Sequence, residues 1–260
     1  MTIIPWIEDS LATELPWLSV AQMVEVDRAM VDDFQILLLQ MMELAGRHLA
    51  SLARARFLAD AGPDASVVIL AGPGGNGGGA LACARRLAGW GTAVSVVTSA
   101  TDEDFTPVPL HQLRTLRRLN VSICETGDEL PAQPALIIDG LIGYSLRGAP
   151  RGRAAELIHW ANQATASVLS LDVPSGLDPS SGEPFDPAIR ATATLTLALP
   201  KLGLRAAGAA AHVGELYLGD IGVPRQLYRR SPLDLRVPDI FAGGDLVRLP
   251  TTQRSLSTAG

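Results

Sequence analysis

Residues 66–91 read "SVVILAGPGGNGGGALACARRLAGWG", and this stretch decides the fold. Its first six residues are a short apolar run rich in β-branched side chains, the pattern of a buried strand. "GPGGNGGGA" (72–80) follows, in which six of nine residues are glycine and Asn76 is the one amide. Apolar residues then recur at helical spacing over 79–91. A strand, a glycine-rich loop and a helix in that order form the opening of an α/β unit. Glycines there let backbone N–H groups approach a phosphate at a helix N-terminus.

Outward from this unit the same alternation continues. Strands are predicted at 93–98, 121–124, 135–139, 167–172, 193–199 and 215–218. Helices are predicted at 109–120 and 152–164. Several of the strands are apolar on both faces, as parallel strands covered by helices must be. The pattern predicts an α/β fold, a three-layer α-β-α Rossmann-like arrangement with a mostly parallel sheet. The last strands have no clear helix between them, so the sheet is expected to end in a hairpin or an irregular crossover. Upstream, residues 18–58 carry two helices broken near Asp32–Asp33, with Ser19 as the first N-cap. Residues 1–17 are read as an N-terminal extension, 18–223 as the domain, and 224–260 as a Pro/Arg-rich tail ending in a disordered "TTQRSLSTAG".

Composition narrows the function. The chain has 260 residues, 47% of them hydrophobic, with a net charge of −6. This is enough apolar surface for a large core, and no basic patch marks a nucleic-acid binder. No apolar run reaches the ~18 residues that span a bilayer. The start, "MTIIPWIEDS", has neither the basic residues nor the apolar run of a signal peptide. Cys83 and Cys124, far apart and among apolar neighbours, fit buried thiols in a reduced cytoplasm. Lys201 is the one lysine among 21 Lys and Arg residues. It is either a position that arginine cannot fill or a chance survivor of an arginine bias.

In an open parallel sheet, ligands bind beyond the carboxyl ends of the strands. The glycine loop with Asn76 follows the first strand. "DGLIGYSLRGAPRG" begins with Asp139, "DVPSGLD" holds Asp172 and Ser175, and "PKLGL" holds Lys201. Each could be an ordinary cap or turn, but together they place polar groups in one crevice. Asn76, Asp139 and Ser175 are hard oxygen donors with a single carboxylate, a set that suits a monovalent cation better than a divalent one. The acidic residue that would bind a ribose at the end of the second strand is missing, since "VVTSA" stands there. This argues against an NAD(P)-dependent oxidoreductase.

These motifs resemble the NAD(P)H-hydrate epimerase family, the YjeF N-terminal domain. "GPGGNGGGA" parallels its GxGNNGGDG loop, "DGLIGYSL" its D-x-x-[FI]-G-x-G motif, and "MMELAGRHLA" its LMExAG helix. "DVPSGLD" and "PKLGL" match fully, and the likeness runs from about Leu18 to about Val223.

The resemblance implies interconversion of the R and S forms of hydrated NADH and NADPH, NAD(P)HX, so that a separate dehydratase can restore the coenzyme. It implies one potassium ion per subunit, held by Asn76, Asp139 and Ser175. It implies substrate contacts from Gly75, Asn76, Gly77, Gly78 and Gly79, from Gly143, Tyr144, Ser145 and Leu146, from Arg147, Gly148 and Ala149, and from Asp172. Asp172 and Asp139 are the catalytic candidates, Asp172 for proton transfer and Asp139 mainly for the ion. Lys201 is read as orienting a phosphate or Asp139, or as a surface lysine. The chain departs from the family where Gly75 replaces an Asn, Gly79 an Asp, Ala80 a glycine and Ser145 a glycine. These losses favour an alternative, a weakened or inactive relative that binds nucleotide or protein. The N-terminal helices suit a homodimer.

Overall fold

The structure is a computed structural model that describes residues 4–62, 64–125, 130–131 and 133–250. In chain order the elements are α1 (Asp9–Glu14), α2 (Val20–Asp32), α3 (Leu38–Arg56), β1 (Ser66–Ala71), α4 (Gly75–Gly89), β2 (Ala93–Thr98), α5 (Pro107–Arg118), β3 (Ser122–Cys124) and β4 (Leu136–Gly140). Then come α6 (Gly152–Gln163), β5 (Ser167–Leu171), β6 (Ala193–Leu197), α7 (Ala210–Val213), β7 (Glu215–Gly219), α8 (Arg225–Tyr228) and β8 (Leu246–Leu249). One sheet runs β3-β2-β1-β4-β5-β6-β7-β8. Its pairs are parallel except β7–β8, which is antiparallel.

The two faces of β1 show why its run is continuously apolar. Val67, Ile69 and Ala71 join a core with residues of α3, α4 and α5. Val68 and Leu70 join a second core with Leu157, Ile158 and Ala161 of α6. Successive side chains leave a strand on opposite sides, so both sides of β1 must be apolar. The expected three-layer α-β-α architecture is therefore present. The chain steps outward from β1 to β2 and β3, then returns to place β4 on the other side of β1. The strand order reverses between β1 and β4, the position where such folds open a crevice.

Several expected elements agree closely. β1 and β2 have the expected limits, and Ser19 caps α2 in a capping box with Gln22. Between β6 and β7 the chain makes an irregular crossover of 3-10 turns and the four-residue α7.

The glycine stretch differs from its reading as a loop. Gly78 N already bonds to Gly74 O at 3.1 Å, so Gly75 to Gly79 form the first turns of α4. Intrinsic propensity opposes a helix there, and packing overrides it. A Cβ on Gly77 would stand 1.8 Å from the carbonyl oxygen of Gly72, and one on Gly46 of α3 would stand 2.5 Å from Ala82 Cβ. The missing side chains seat α4 against the end of β1 and against α3.

The stretches read as an N-terminal extension and a tail both pack onto the fold. Ile7 and Leu15 share a core with Leu227, Tyr228, Leu233 and Val247. Ile7 N donates to Arg248 O at 2.9 Å, beside β8. The terminal "TTQRSLSTAG" lies outside the described residues.

The clash at Gly77 is with backbone, which cannot swing aside. Gly77→Ala is therefore expected to lower unfolding free energy by at least about 1–3 kcal/mol. At Gly75 the nearest atom to an added Cβ is Met42 Cε at 4.0 Å, so Gly75→Ala is expected to be neutral or slightly stabilising. Urea unfolding midpoints of the two variants check the contrast.

Candidate active site

Asp139 lies at the end of β4, fully buried, in register with Ser170 of β5. Ser170 Oγ donates to its Oδ2 at 2.8 Å, and Ser175 N donates to the same oxygen at 2.9 Å. Ser175 Oγ donates to Oδ1 at 2.6 Å, and Leu141 N approaches Oδ1 at 3.3 Å. Burial pushes this carboxyl above its ordinary range, while the bonds from Ser175 and Ser170 pull the other way. Asp139 thus ties β4 to the turn after β5. Both of its oxygens are engaged by protein donors, and it does not line the neighbouring cavity. Of its two expected roles, proton transfer to a substrate in that cavity has no geometric support.

Asp172 follows β5 with a backbone φ of +65°, a left-handed conformation that Asp tolerates better than most residues. Its amide donates to Leu195 O at 2.7 Å. One carboxylate oxygen pairs with Lys201 Nζ, and the other accepts from Tyr144 N at 3.3 Å. Lys201 has no exposed surface. Its ammonium also donates to Leu197 O at 2.9 Å and reaches Thr196 Oγ1 at 3.4 Å. The structure overturns two expectations for Lys201. It is not a surface residue and does not orient Asp139; it is the buried counter-ion of Asp172. The backbone around it is held by Leu18, whose amide donates to Pro200 O at 2.8 Å and whose carbonyl accepts from Leu202 N at 2.9 Å.

Asp172 and Lys201 face a cavity of about 320 Å³ at the carboxyl ends of the central strands. Most of its wall is apolar, with Met23, Leu38, Met41, Met42, Leu171 and Leu197. A small number of polar groups in a largely apolar pocket is the usual composition of a small-molecule site. Gly75, Asn76 and Gly79 line it from α4, and Gly143, Tyr144 and Ser145 from the loop after β4. Asn76 lies against Gly143, where an added Cβ would be 3.2 Å from its Oδ1. The buried Asn76 Nδ2 has no hydrogen-bond partner among the described residues. Gly77 and Gly78 are buried in packing and do not line the cavity. Leu146, Arg147, Gly148 and Ala149 are not brought to it, and the last three are exposed on the surface.

The apolar lining residues and one polar one, Asp27, escaped the sequence. Asp27 of α2 lines the cavity, and Tyr144 donates its hydroxyl proton to it. Burial is the main cause raising the Asp27 carboxyl above its ordinary range. The signal was its position, four residues after Met23 and three before Met30, on the buried face of α2.

Residues 38–203 match the family described as YjeF-related protein N-terminus. The chain belongs to that family. It is 42% identical over 243 residues to an NAD(P)H-hydrate epimerase of Dehalogenimonas lykanthroporepellens, covering 91% of this chain and 94% of that one. It is 33% identical over 221 residues to an NAD(P)H-hydrate epimerase of Rhodopirellula baltica, covering 84% and 88%. A bifunctional NAD(P)H-hydrate repair enzyme Nnr of Salinibacter ruber is 34% identical, and there the match covers 80% of this chain but 41% of that one. In fold, the crystal structure of the yeast protein ynu0 (YNL200c) superposes with a TM-score of 0.76 at 22% identity, covering 90% of this chain and all of that one. Among the described residues no helix is long and apolar enough to cross a membrane.

Removing one partner of a buried pair leaves an uncompensated charge. Lys201→Met is therefore expected to destabilise the protein by about 3–5 kcal/mol. The double variant Lys201→Met/Asp172→Asn, which removes the second charge with a residue that tolerates the positive φ, is expected to recover part of that loss. Equal destabilisation of the single and double variants in chemical unfolding would contradict the pairing.

Proposed function

We propose that this protein interconverts the R and S forms of hydrated NADH and NADPH, as an isomerase in coenzyme repair. The observation that carries it is Asp172, a carboxylate held by a buried ammonium at the wall of an apolar cavity, in a chain aligned along most of its length with relatives named NAD(P)H-hydrate epimerase. The cavity's volume suits the nicotinamide half of the coenzyme, with the remainder directed outward past α4 and the loop after β4.

The substrate carbon bears a hydroxyl and is bonded to the ring nitrogen, so it is a hemiaminal. Its configuration can invert if the ring opens and closes again on the other face. Opening requires a base for the hydroxyl proton. Asp172 is that base in our reading. Among the described residues the oxygen away from Lys201 accepts only the Tyr144 amide at 3.3 Å, so it has room for a substrate hydroxyl. Lys201 fixes the orientation of the carboxylate, and the apolar wall excludes water.

A potassium ion fits the residues beside this cavity. Ser175 Oγ accepts from Ile142 N at 2.9 Å and faces two further acceptors, Asp139 Oδ1 at 2.6 Å and Ile142 O at 3.1 Å. Its single proton serves one of them, so the cluster is rich in oxygen and short of positive charge. The residues that would hold the ion are Asn76, Asp139 and Ser175. When bound, the ion supplies a positive field for anionic substrate oxygens.

The proposal extends to the setting of the reaction. A separate dehydratase acts on the product, and the compartment is the cytoplasm. Val24, Val31 and Leu37 are exposed on α2 and at the start of α3, a face that suits a homodimer; a monomeric sedimentation coefficient would remove that last point.

Gly75 and Gly79 favour one second reading, a relative that binds nucleotide without turnover. A Cβ at Gly79 would approach Leu171 Cδ2 at 2.8 Å, so an aspartate there requires Leu171 to move. The test is epimerisation of purified R-hydrate, coupled to an S-specific dehydratase. Turnover above the uncatalysed rate is expected. It should be faster in potassium than in tetramethylammonium at equal ionic strength, and Ser175→Ala should reduce that difference. Nucleotide binding with no turnover would establish the second reading instead. Equal rates in both salts would remove the ion.

A further inference from the structure

We propose that Asp27 and the Tyr144 hydroxyl form the second acid–base group of the site, delivering to the ring nitrogen the proton that ring opening requires. The proposal rests on the epimerase reading and adds a residue from α2, an element outside the motifs that mark the crevice. Besides a base at oxygen, the electron pair released to nitrogen when the C–N bond breaks needs a proton, and a second group can supply it while Asp172 holds the first. Tyr144 and Asp27 line the same cavity as Asp172. Tyr144 joins them physically, since its amide donates to Asp172 and its hydroxyl to Asp27.

The setting of Asp27 differs from that of Asp172. Asp172 has a buried ammonium in contact, whereas Asp27 has a phenol. Met23, Val26 and Met30, its neighbours on the inner face of α2, are all buried and apolar. A carboxyl in such a place favours its neutral form, which is the form a proton donor needs. Burial raises Asp27 most. The Tyr144 hydrogen bond and the Lys201 charge oppose that rise, and the Asp172 charge adds to it. The groups facing Asp27 are Tyr144 from the loop after β4, Asp172 and Lys201 from the ends of β5 and β6, and Tyr228 from α8. Arg28, next in the chain, is held by Glu25 and Asp33. Burial and Asp27 together push the Tyr144 phenol above its ordinary range. It therefore passes a proton on without ionising.

The step balances without a co-reactant. Asp172 takes the hydroxyl proton, the oxygen lone pair forms the carbonyl, and the C–N bond breaks with its electrons on nitrogen. With Asp27 protonated the bond between them runs the other way, from the carboxyl to the phenol oxygen, so nitrogen takes the proton of Tyr144 as Tyr144 takes that of Asp27. The aldehyde turns about its single bond, and every transfer reverses on closure at the opposite face.

The test is the pH dependence of R-hydrate epimerisation by the natural chain, Asp27→Asn, Asp27→Glu and Tyr144→Phe. Activity of the natural protein is expected to fall on the alkaline side as Asp27 loses its proton. Asp27→Asn and Tyr144→Phe are each expected to lower kcat about a hundredfold with KM changed less than about threefold, and both should lose that alkaline limb. Asp27→Glu should restore the limb. Thermal unfolding supplies a readout independent of activity. A carboxyl whose folded pKa is raised loses stability as pH rises through that pKa, so Asp27→Asn should gain in Tm over the natural protein as pH increases. If Asp27→Asn does not fold, Tyr144→Phe carries the test. Turnover by the natural protein with rate and pH profile unchanged in Asp27→Asn or Tyr144→Phe would overturn this proposal alone. No turnover by the natural protein would overturn the epimerase reading and this proposal with it.

Discussion

Lys201 and Asp172 place opposite charges beneath the surface, at the wall of the cavity. Among the described residues Lys201 is the largest side chain to be fully buried. Taking an ammonium out of water is expensive, and only a well-placed counter-ion with further hydrogen bonds offsets it. The structure supplies both, through Asp172, Leu197 O and Thr196. The constraint propagates outward. Asp172 must take a positive φ to reach the ammonium, and "PKLGL" must be pinned by Leu18 at the entrance to α2. That anchoring helps place α2, with Asp27, over the cavity. A pair of this kind contributes little net stability against an apolar substitute. Its retention is better explained by the chemistry of the site it organises.

A second constraint comes from the strand order. Reversal between β1 and β4 opens a crevice, and the chain places Asn76 on one side of it and Asp139 on the other. α4 must begin almost on top of β1 for Asn76 to stand there. The glycines make this possible by packing closeness, not by unusual backbone angles, since none of Gly75 to Gly79 has a positive φ. They also leave the cavity wall bare at Gly75 and Gly79, with Leu171 filling part of the space an aspartate would need. The site is therefore more apolar than the family's motif leads one to expect.

Much of the architecture was legible because its signals are local. Continuous β-branched runs mark β1 and β2, and Ser19 with Gln22 marks the start of α2. The rule that sites gather at strand ends located Asn76, Asp139, Asp172, Ser175 and Lys201 together. What escaped depends on tertiary context. Glycine propensity argues against a helix at 75–79, and nothing local reveals the surfaces of α3 and β1 that impose one. β8 is four residues long within a proline- and arginine-rich stretch, and it is a strand because β7 offers it an edge. The burial of Lys201 follows from its partner, 29 residues away in sequence. Asp27 was hidden between Glu25 and Arg28, which pair on the exposed side of the same helix. Its place on the inner face of α2, with Met23 and Met30, is the mark it carries.

The claim on which the rest turns is that the hemiaminal carbon of a hydrated coenzyme sits between Asp172 and the Tyr144–Asp27 pair. The most direct measurement is a crystal structure of the protein with hydrated NADH bound. The account requires the nicotinamide half inside the cavity, its hydroxyl within about 2.6–3.2 Å of the Asp172 carboxylate, and Tyr144 on the ring-nitrogen side. A ring lying outside the cavity, or one whose hydroxyl faces the methionine wall and leaves Asp172 to its protein partners, would contradict it.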